Sequence, residues 1–166
     1  MKKIILIPVF LMGFTFFFAS QIVFERLGPN PTAQRILLKT IDNKELDLLN
    51  IDSKVVIVNF WASWCTPCMV ELPSLVGLQK KFDPKDLTII GINTDEDQQL
   101  QRIHRIVKRL AISFPIVVDN GDLAEKFHIN SLPYSLVLVE GKVVKIIRGA
   151  VDFTSIEMIE TLKNYL

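Results

Sequence analysis

The sequence predicts an α/β protein: a central mixed β-sheet covered by helices on both faces, with an N-terminal β-hairpin extension. Two observations lead there. The runs Val55–Trp61 and Leu87–Asn93 are continuously apolar rather than alternating, as expected of strands buried on both faces of a sheet. Helical patterns follow each of them, and a hairpin pattern and a last helix close the chain.

Ile36–Thr40 and Glu45–Leu48 flank Asp42-Asn43, a turn signal, and predict the hairpin. Lys54 opens the first buried strand, and Ala62, Ser63 and Trp64 make a short connection after it. A helix is expected from about Cys65 to Phe82, kinked at Pro73, which has no N–H to donate to Met69. After the second buried strand, Leu100, Ile103, Val107 and Leu110 share one helical face, with Ile106 on its shoulder. The opposite side carries Arg102, His104, Arg105, Lys108 and Arg109, read as a solvated face, with a surface for an acidic partner or anionic lipid headgroups as the alternative. Phe114–Val118 is a short extended piece and Gly121–Phe127 a short helix. Tyr134–Val139 and Lys142–Arg148 flank Glu140-Gly141 as a hairpin. The last helix starts near Ser155, with a capping box expected between Thr154 and Glu157 and a buried stripe of Ile156, Ile159 and Leu162.

Composition sets the compartment. The 166 residues suit one domain plus a short appendage. Lys2 and Lys3 precede an uncharged apolar run from Ile4 to Ala19, and apolar character continues through Phe24. Residues 1–24 are therefore read as a signal anchor, with a cleaved signal peptide as the alternative. No small-x-small site precedes Ala19 or Ser20, because Phe17 and Phe18 stand two residues upstream. Residues 25–34, with Gly28-Pro29-Asn30-Pro31, read as a linker, and 35–166 as the folded domain. The positive-inside rule leaves that domain on the extracytoplasmic (periplasmic) side, tethered to the cytoplasmic membrane. The net charge is +1, less than the two anchor lysines contribute, so no global basic field for nucleic acid exists. Two cysteines and the two distant histidines, His104 and His128, do not make a zinc site. Both histidines are read as surface residues.

The two cysteines stand in Cys65-Thr66-Pro67-Cys68, where a buried strand gives way to a helix. A helix N-terminus leaves backbone N–H groups unpaired and carries partial positive charge. A thiolate at Cys65 would accept those hydrogen bonds, which lowers its proton affinity and activates it for disulfide exchange. Cys68, one helical turn on, is placed to resolve the mixed disulfide. Pro67 costs little in a first turn. No cofactor beyond the redox-active pair is expected.

The string Trp61-Ala62-Ser63-Trp64-Cys65-Thr66-Pro67-Cys68 resembles the active-site signature of thioredoxin-like proteins. The longer VVIVNFWASWCTPCMVELP is similar to the exported, membrane-anchored branch containing TlpA, ResA and the cytochrome c maturation thioredoxins. The resemblance runs from about Ile36 to the C-terminus and implies the thioredoxin fold. Ser131-Leu132-Pro133-Tyr134 matches the family's cis-proline loop. By that likeness Pro133 is cis beside the cysteines, the Leu132 backbone pairs with a bound peptide, and Trp64 offers it apolar area. Trp61 is read as core. Thioredoxins carry a buried Asp where this chain has Asn59, and an amide cannot titrate. Glu71, three residues after Cys68 on the same helical face, matches an acidic position of the ResA-like branch and is expected to exchange a proton with Cys68.

The resemblance implies a protein-disulfide reductase for exported proteins, apocytochrome c among them. A membrane electron donor of the DsbD or CcdA type would re-reduce it. An oxidase or isomerase of the same fold is the alternative, although Thr66-Pro67 lacks the histidine of strongly oxidising Cys-Pro-His-Cys motifs. A peroxidase of the peroxiredoxin type needs a Pro-x-x-x-Thr-x-x-Cys setting that the chain does not have. A non-catalytic assembly factor using only the cleft would tolerate loss of both cysteines.

Overall fold

The computed structural model describes residues 36–48, 50–95, 99–119 and 121–166. The anchor and linker expected over residues 1–34 lie outside the described residues. Among the described residues, no helix is long and apolar enough to cross a membrane.

The first hairpin pairs β1 (Leu37–Lys39) antiparallel with β2 (Glu45–Asp47). Its turn is held by Thr40, whose Oγ1 accepts from Lys44 N at 3.0 Å while Asn43 takes a left-handed φ of 62°. The central sheet has five strands in the order β5-β4-β3-β6-β7. Its middle is β3 (Val55–Trp61), parallel to β4 (Leu87–Asn93) and antiparallel to β6 (Tyr134–Val139). The short β5 (Ile116–Val118) runs parallel to β4, and β7 (Lys142–Arg148) antiparallel to β6. Glu140 and Gly141 both have positive φ, as the tight turn between β6 and β7 requires.

The continuous apolar runs have a simple cause. All seven residues of β3 are buried, and successive side chains point to opposite faces. Val55, Ile57 and Trp61 join one core cluster, Val56, Val58 and Phe60 the other. The first cluster is completed by α1 (Thr66–Gln79) through Leu72, Leu75 and Leu78, by α2 (Leu100–Arg109) through Ile103 and Ile106, and by α4 (Ile156–Lys163) through Leu162. Leu38 and Leu48 of the hairpin region close the second cluster, with Leu123 and Phe127 at α3 (Asp122–Lys126). Gly91 is required where it stands. A Cβ there would meet Ile116 Cδ1 at 2.5 Å, Trp61 Nε1 at 3.1 Å and Phe114 Cε2 at 3.3 Å.

The two sheet edges are treated differently, one covered and one charged. The β5 edge is met by the hairpin, through a bridge between Thr40 and Val117 and an Ile41 N–H donated to Ile116 O at 2.8 Å. The β7 edge carries exposed Lys142, Lys145 and Arg148, and the register slips between Val137 and Leu138.

Three local expectations are corrected. Ser155, not Thr154, caps α4, its Oγ accepting from Met158 N at 3.3 Å; Thr154 is bonded to Asp152 instead. Ile156 is 77% exposed. Met158, Ile159, Leu162 and Tyr165 pack inward, and at 100° per residue Ile156 stands roughly 200° from Met158 and roughly 240° from Leu162. On α2, Ile106 is central rather than peripheral, while Leu100 is 41% exposed and lies by the hairpin turn. The helix α1 continues through Pro73 as one element.

Candidate active site

The end of β3 delivers the site. Trp61 is fully buried, as a core residue should be, and the chain then turns through Ala62–Trp64 into α1. Cys65 is the N-cap, in extended conformation, and its Sγ accepts from Cys68 N at 3.3 Å. Pro67 falls in the first turn, where its missing N–H costs nothing. Cys65 and Cys68 are joined in a disulfide with Cα atoms 5.3 Å apart. Both cysteines are buried, Cys65 at 5% exposure and Cys68 at 1%, so Cys65 is the more accessible of the two. Trp64 beside it is 65% exposed.

Glu71 sits one helical turn beyond Cys68, and the structure buries it to 2% exposure. The reason lies in strand parity. Asn59 falls on the same face of β3 as Ile57 and Trp61, the face that meets α1. Its Nδ2 donates to Glu71 Oε1 at 2.7 Å and to Ser135 Oγ at 2.9 Å, Ser135 being its cross-strand partner on β6. The second carboxylate oxygen accepts from Val151 N at 2.9 Å. Burial pushes the Glu71 carboxyl above the usual carboxylate range, the bonds from the Val151 N–H and the Asn59 amide opposing it. Asn59 Oδ1 is buried without a hydrogen-bond partner among the described residues.

The Leu132–Pro133 peptide bond is cis. Pro133 is buried, and Leu132 is half-buried against the cluster that contains both cysteines. The backbone N–H and C=O of Leu132 make no hydrogen bond among the described residues. Behind the loop, Pro133 O accepts from Gly149 N at 3.0 Å, and the Arg148 guanidinium lies 5.4 Å from the centre of the Tyr134 ring.

Sequence reasoning passed over Asp95. Its carboxylate is 2% exposed and accepts from Ser63 N at 3.0 and 3.1 Å and from Asn93 Nδ2 at 3.3 Å. Arg102 Nη2 donates to Ser63 O at 3.2 Å. Together these two side chains hold the peptide units just before Cys65. The available signal was position: Asp95 follows the C-terminal end of a parallel strand, beside the end of β3, where ligand sites of such sheets gather. His104 and His128 are both exposed.

The AhpC/TSA family model matches residues 29–147. The chain belongs to the AhpC/TSA family. Among relatives of this AhpC/TSA protein, the thiol-disulfide oxidoreductase ResA of Halalkalibacterium halodurans is 30% identical over 151 residues, covering 88% of this chain and 83% of that protein. ResA of Bacillus subtilis is 28% identical over 148 residues, covering 88% and 82%. The crystal structure of StoA from Bacillus subtilis superposes with a TM-score of 0.64 at 28% identity, covering 80% of this chain and 96% of that one. The fold is thus the thioredoxin-like α/β fold, and the chain is a thiol–disulfide oxidoreductase with its Cys-x-x-Cys pair at the N-terminus of α1.

Proposed function

We propose that the chain reduces disulfides of exported proteins, apocytochrome c among them. It would do so at the outer face of the cytoplasmic membrane, held there by residues 1–24. The observation that carries this reading is the asymmetry of the pair. Cys65 caps α1 and is the more accessible of the two, while Cys68 is almost fully buried, one turn from a buried Glu71. In the reduced protein, the Cys65 thiolate attacks one sulfur of a client disulfide and expels the other as a thiolate, which takes a proton from solvent. Cys68 passes its proton to the Glu71 carboxylate and attacks Cys65 Sγ. The Cys65–Cys68 disulfide re-forms, the second client sulfur leaves as thiolate, and Glu71 returns its proton to that thiolate by way of solvent. Two electrons and two protons have then moved to the client. A carboxyl whose proton affinity has been raised by burial is a better match to a thiol than a solvated glutamate is.

Trp64 and the free backbone groups of Leu132 suit an extended client strand laid beside Pro133. The dithiol of a DsbD- or CcdA-type membrane protein would return the pair to its reduced state, and no further cofactor is needed for the cycle. The Thr66-Pro67 pair, without the histidine of strongly oxidising Cys-Pro-His-Cys motifs, favours reduction over oxidation. The experiment is the reduction potential of the Cys65–Cys68 couple in a dithiothreitol buffer, paired with client trapping by Cys68→Ser. A reductase lies nearer the thioredoxin value of about −270 mV than the DsbA value of about −120 mV. A couple at the oxidising end, or a Cys68→Ser protein that traps no exported protein through Cys65, would reverse the assignment.

A further inference from the structure

Arg102, Arg105 and Arg109 recur along α2 at spacings of three and four, which places them on one side of the helix. All three are exposed to solvent. They line a groove of about 500 Å³, with Ile106 between them and Ser63 and Met69 opposite. Ser63 is two residues before Cys65, and Met69 directly follows Cys68, so the groove is lined by residues that flank the Cys-x-x-Cys turn in sequence, although neither cysteine lines it. Arg102 spends one N–H on Ser63 O, whereas Arg105 and Arg109 form no ion pair among the described residues. Ser63 is 6% exposed, and its Oγ has no hydrogen-bond partner among the described residues. The carboxylate behind the groove, Asp95, is turned into the Ser63 N–H and the Asn93 amide. His104 and Lys108, on the same helix, add no negative charge.

We propose that this groove binds carboxylates of an acidic stretch in the client polypeptide, next to the cystine being reduced. The inference rests on the reading of the pair as a protein-disulfide reductase and names the client chemistry it prefers. The charged groups of the lining are three guanidiniums, which donate only, and carboxylate oxygens complement them. The chain's net charge of only +1 makes this a local field rather than a global one. The site is concave and takes Ser63 and Met69 from the two sides of the Cys-x-x-Cys turn, which favours a polypeptide over a lipid surface.

The test uses the full-length chain in neutral detergent and two cystine-bridged peptides, one carrying aspartates beside the bridge and one carrying asparagines. The ratio of their kcat/KM values is the readout. At low ionic strength the wild-type ratio is expected to favour the acidic peptide roughly tenfold, the scale of a few exposed ion pairs, and to fall as salt rises. Arg105→Gln with Arg109→Gln should bring the ratio close to one, and Arg105→Glu with Arg109→Glu should invert it. A wild-type ratio of one, or a ratio indifferent to these substitutions, overturns the proposal. So does a preference that vanishes when the chain sits in phosphatidylglycerol rather than phosphatidylcholine vesicles, since lipid headgroups would then hold the groove. If neither peptide is reduced, the reductase reading fails instead, and anisotropy of the labelled acidic peptide on the oxidised protein still decides the groove.

Discussion

Replacing Glu71 with glutamine separates its charge from its shape. The carboxylate accepts two N–H bonds, from Asn59 at 2.7 Å and from Val151 at 2.9 Å, at a site 2% exposed. A glutamine has one acceptor oxygen. If nothing else moved, its NH₂ would confront a donor and leave a buried group unpaired, at a cost of about 1–3 kcal/mol. Rotation of the Asn59 amide offers relief, because the unpartnered Asn59 Oδ1 could then accept from the new NH₂. That contribution is independent of pH. The charge contribution is not. Burial raises the folded-state proton affinity of Glu71 above its unfolded value. The folded protein therefore binds the proton more tightly, and stability falls as pH rises from the ordinary glutamate value of 4.5 through the raised folded value. Each tenfold difference in proton affinity corresponds to about 1.4 kcal/mol. Glu71→Gln removes this slope. Urea unfolding of the oxidised wild type and variant between pH 4 and pH 8 should show the variant gaining on the wild type as pH increases. Parallel stability curves would refute the claim that Glu71 is buried at a cost to its charge.

Two further substitutions test the scaffold. Gly91→Ala should destabilise by about 1–3 kcal/mol in thermal or urea unfolding, because the added methyl is confronted by Ile116, Trp61 and Phe114 inside the packed core. Asp95→Ala strips acceptors from the Ser63 N–H and the Asn93 amide, about 1–3 kcal/mol for a buried donor left unpaired. It should also loosen the approach to Cys65, seen as faster reduction of the Cys65–Cys68 disulfide by dithiothreitol.

The sheet was legible because burial on two faces writes itself as an unbroken apolar run, and Val55–Trp61 and Leu87–Asn93 are such runs. The disulfide and the helix behind it were legible because spacing and helix-end chemistry are local. Glu71 could be suspected from its place one turn past Cys68, but its burial depends on Asn59 and Val151, the latter 80 residues away, and no local pattern encodes that. Asp95 was hidden for the same reason, since its partner Ser63 lies 32 residues upstream. At α4, hydrophobicity alone could not choose the stripe: Ile156 is as apolar as Ile159, and only the cap at Ser155 and the rotation of the helix on the sheet put it in solvent. The arginines of α2 were visible as a charged face, yet the concavity they line comes from residues of another element.

The covered edge and the charged edge of the sheet have a consequence for a protein that handles unfolded clients. An extended chain carrying a disulfide is also a strand looking for a partner, and an open edge would zip onto it. Here one edge is occupied by the hairpin through Thr40 and Ile41, and the other bears Lys142, Lys145 and Arg148 along a strand whose register slips. A client can therefore meet the molecule at the mouth around Cys65 without templating on its flanks. Release after exchange then requires breaking a few contacts rather than peeling a β-ladder apart.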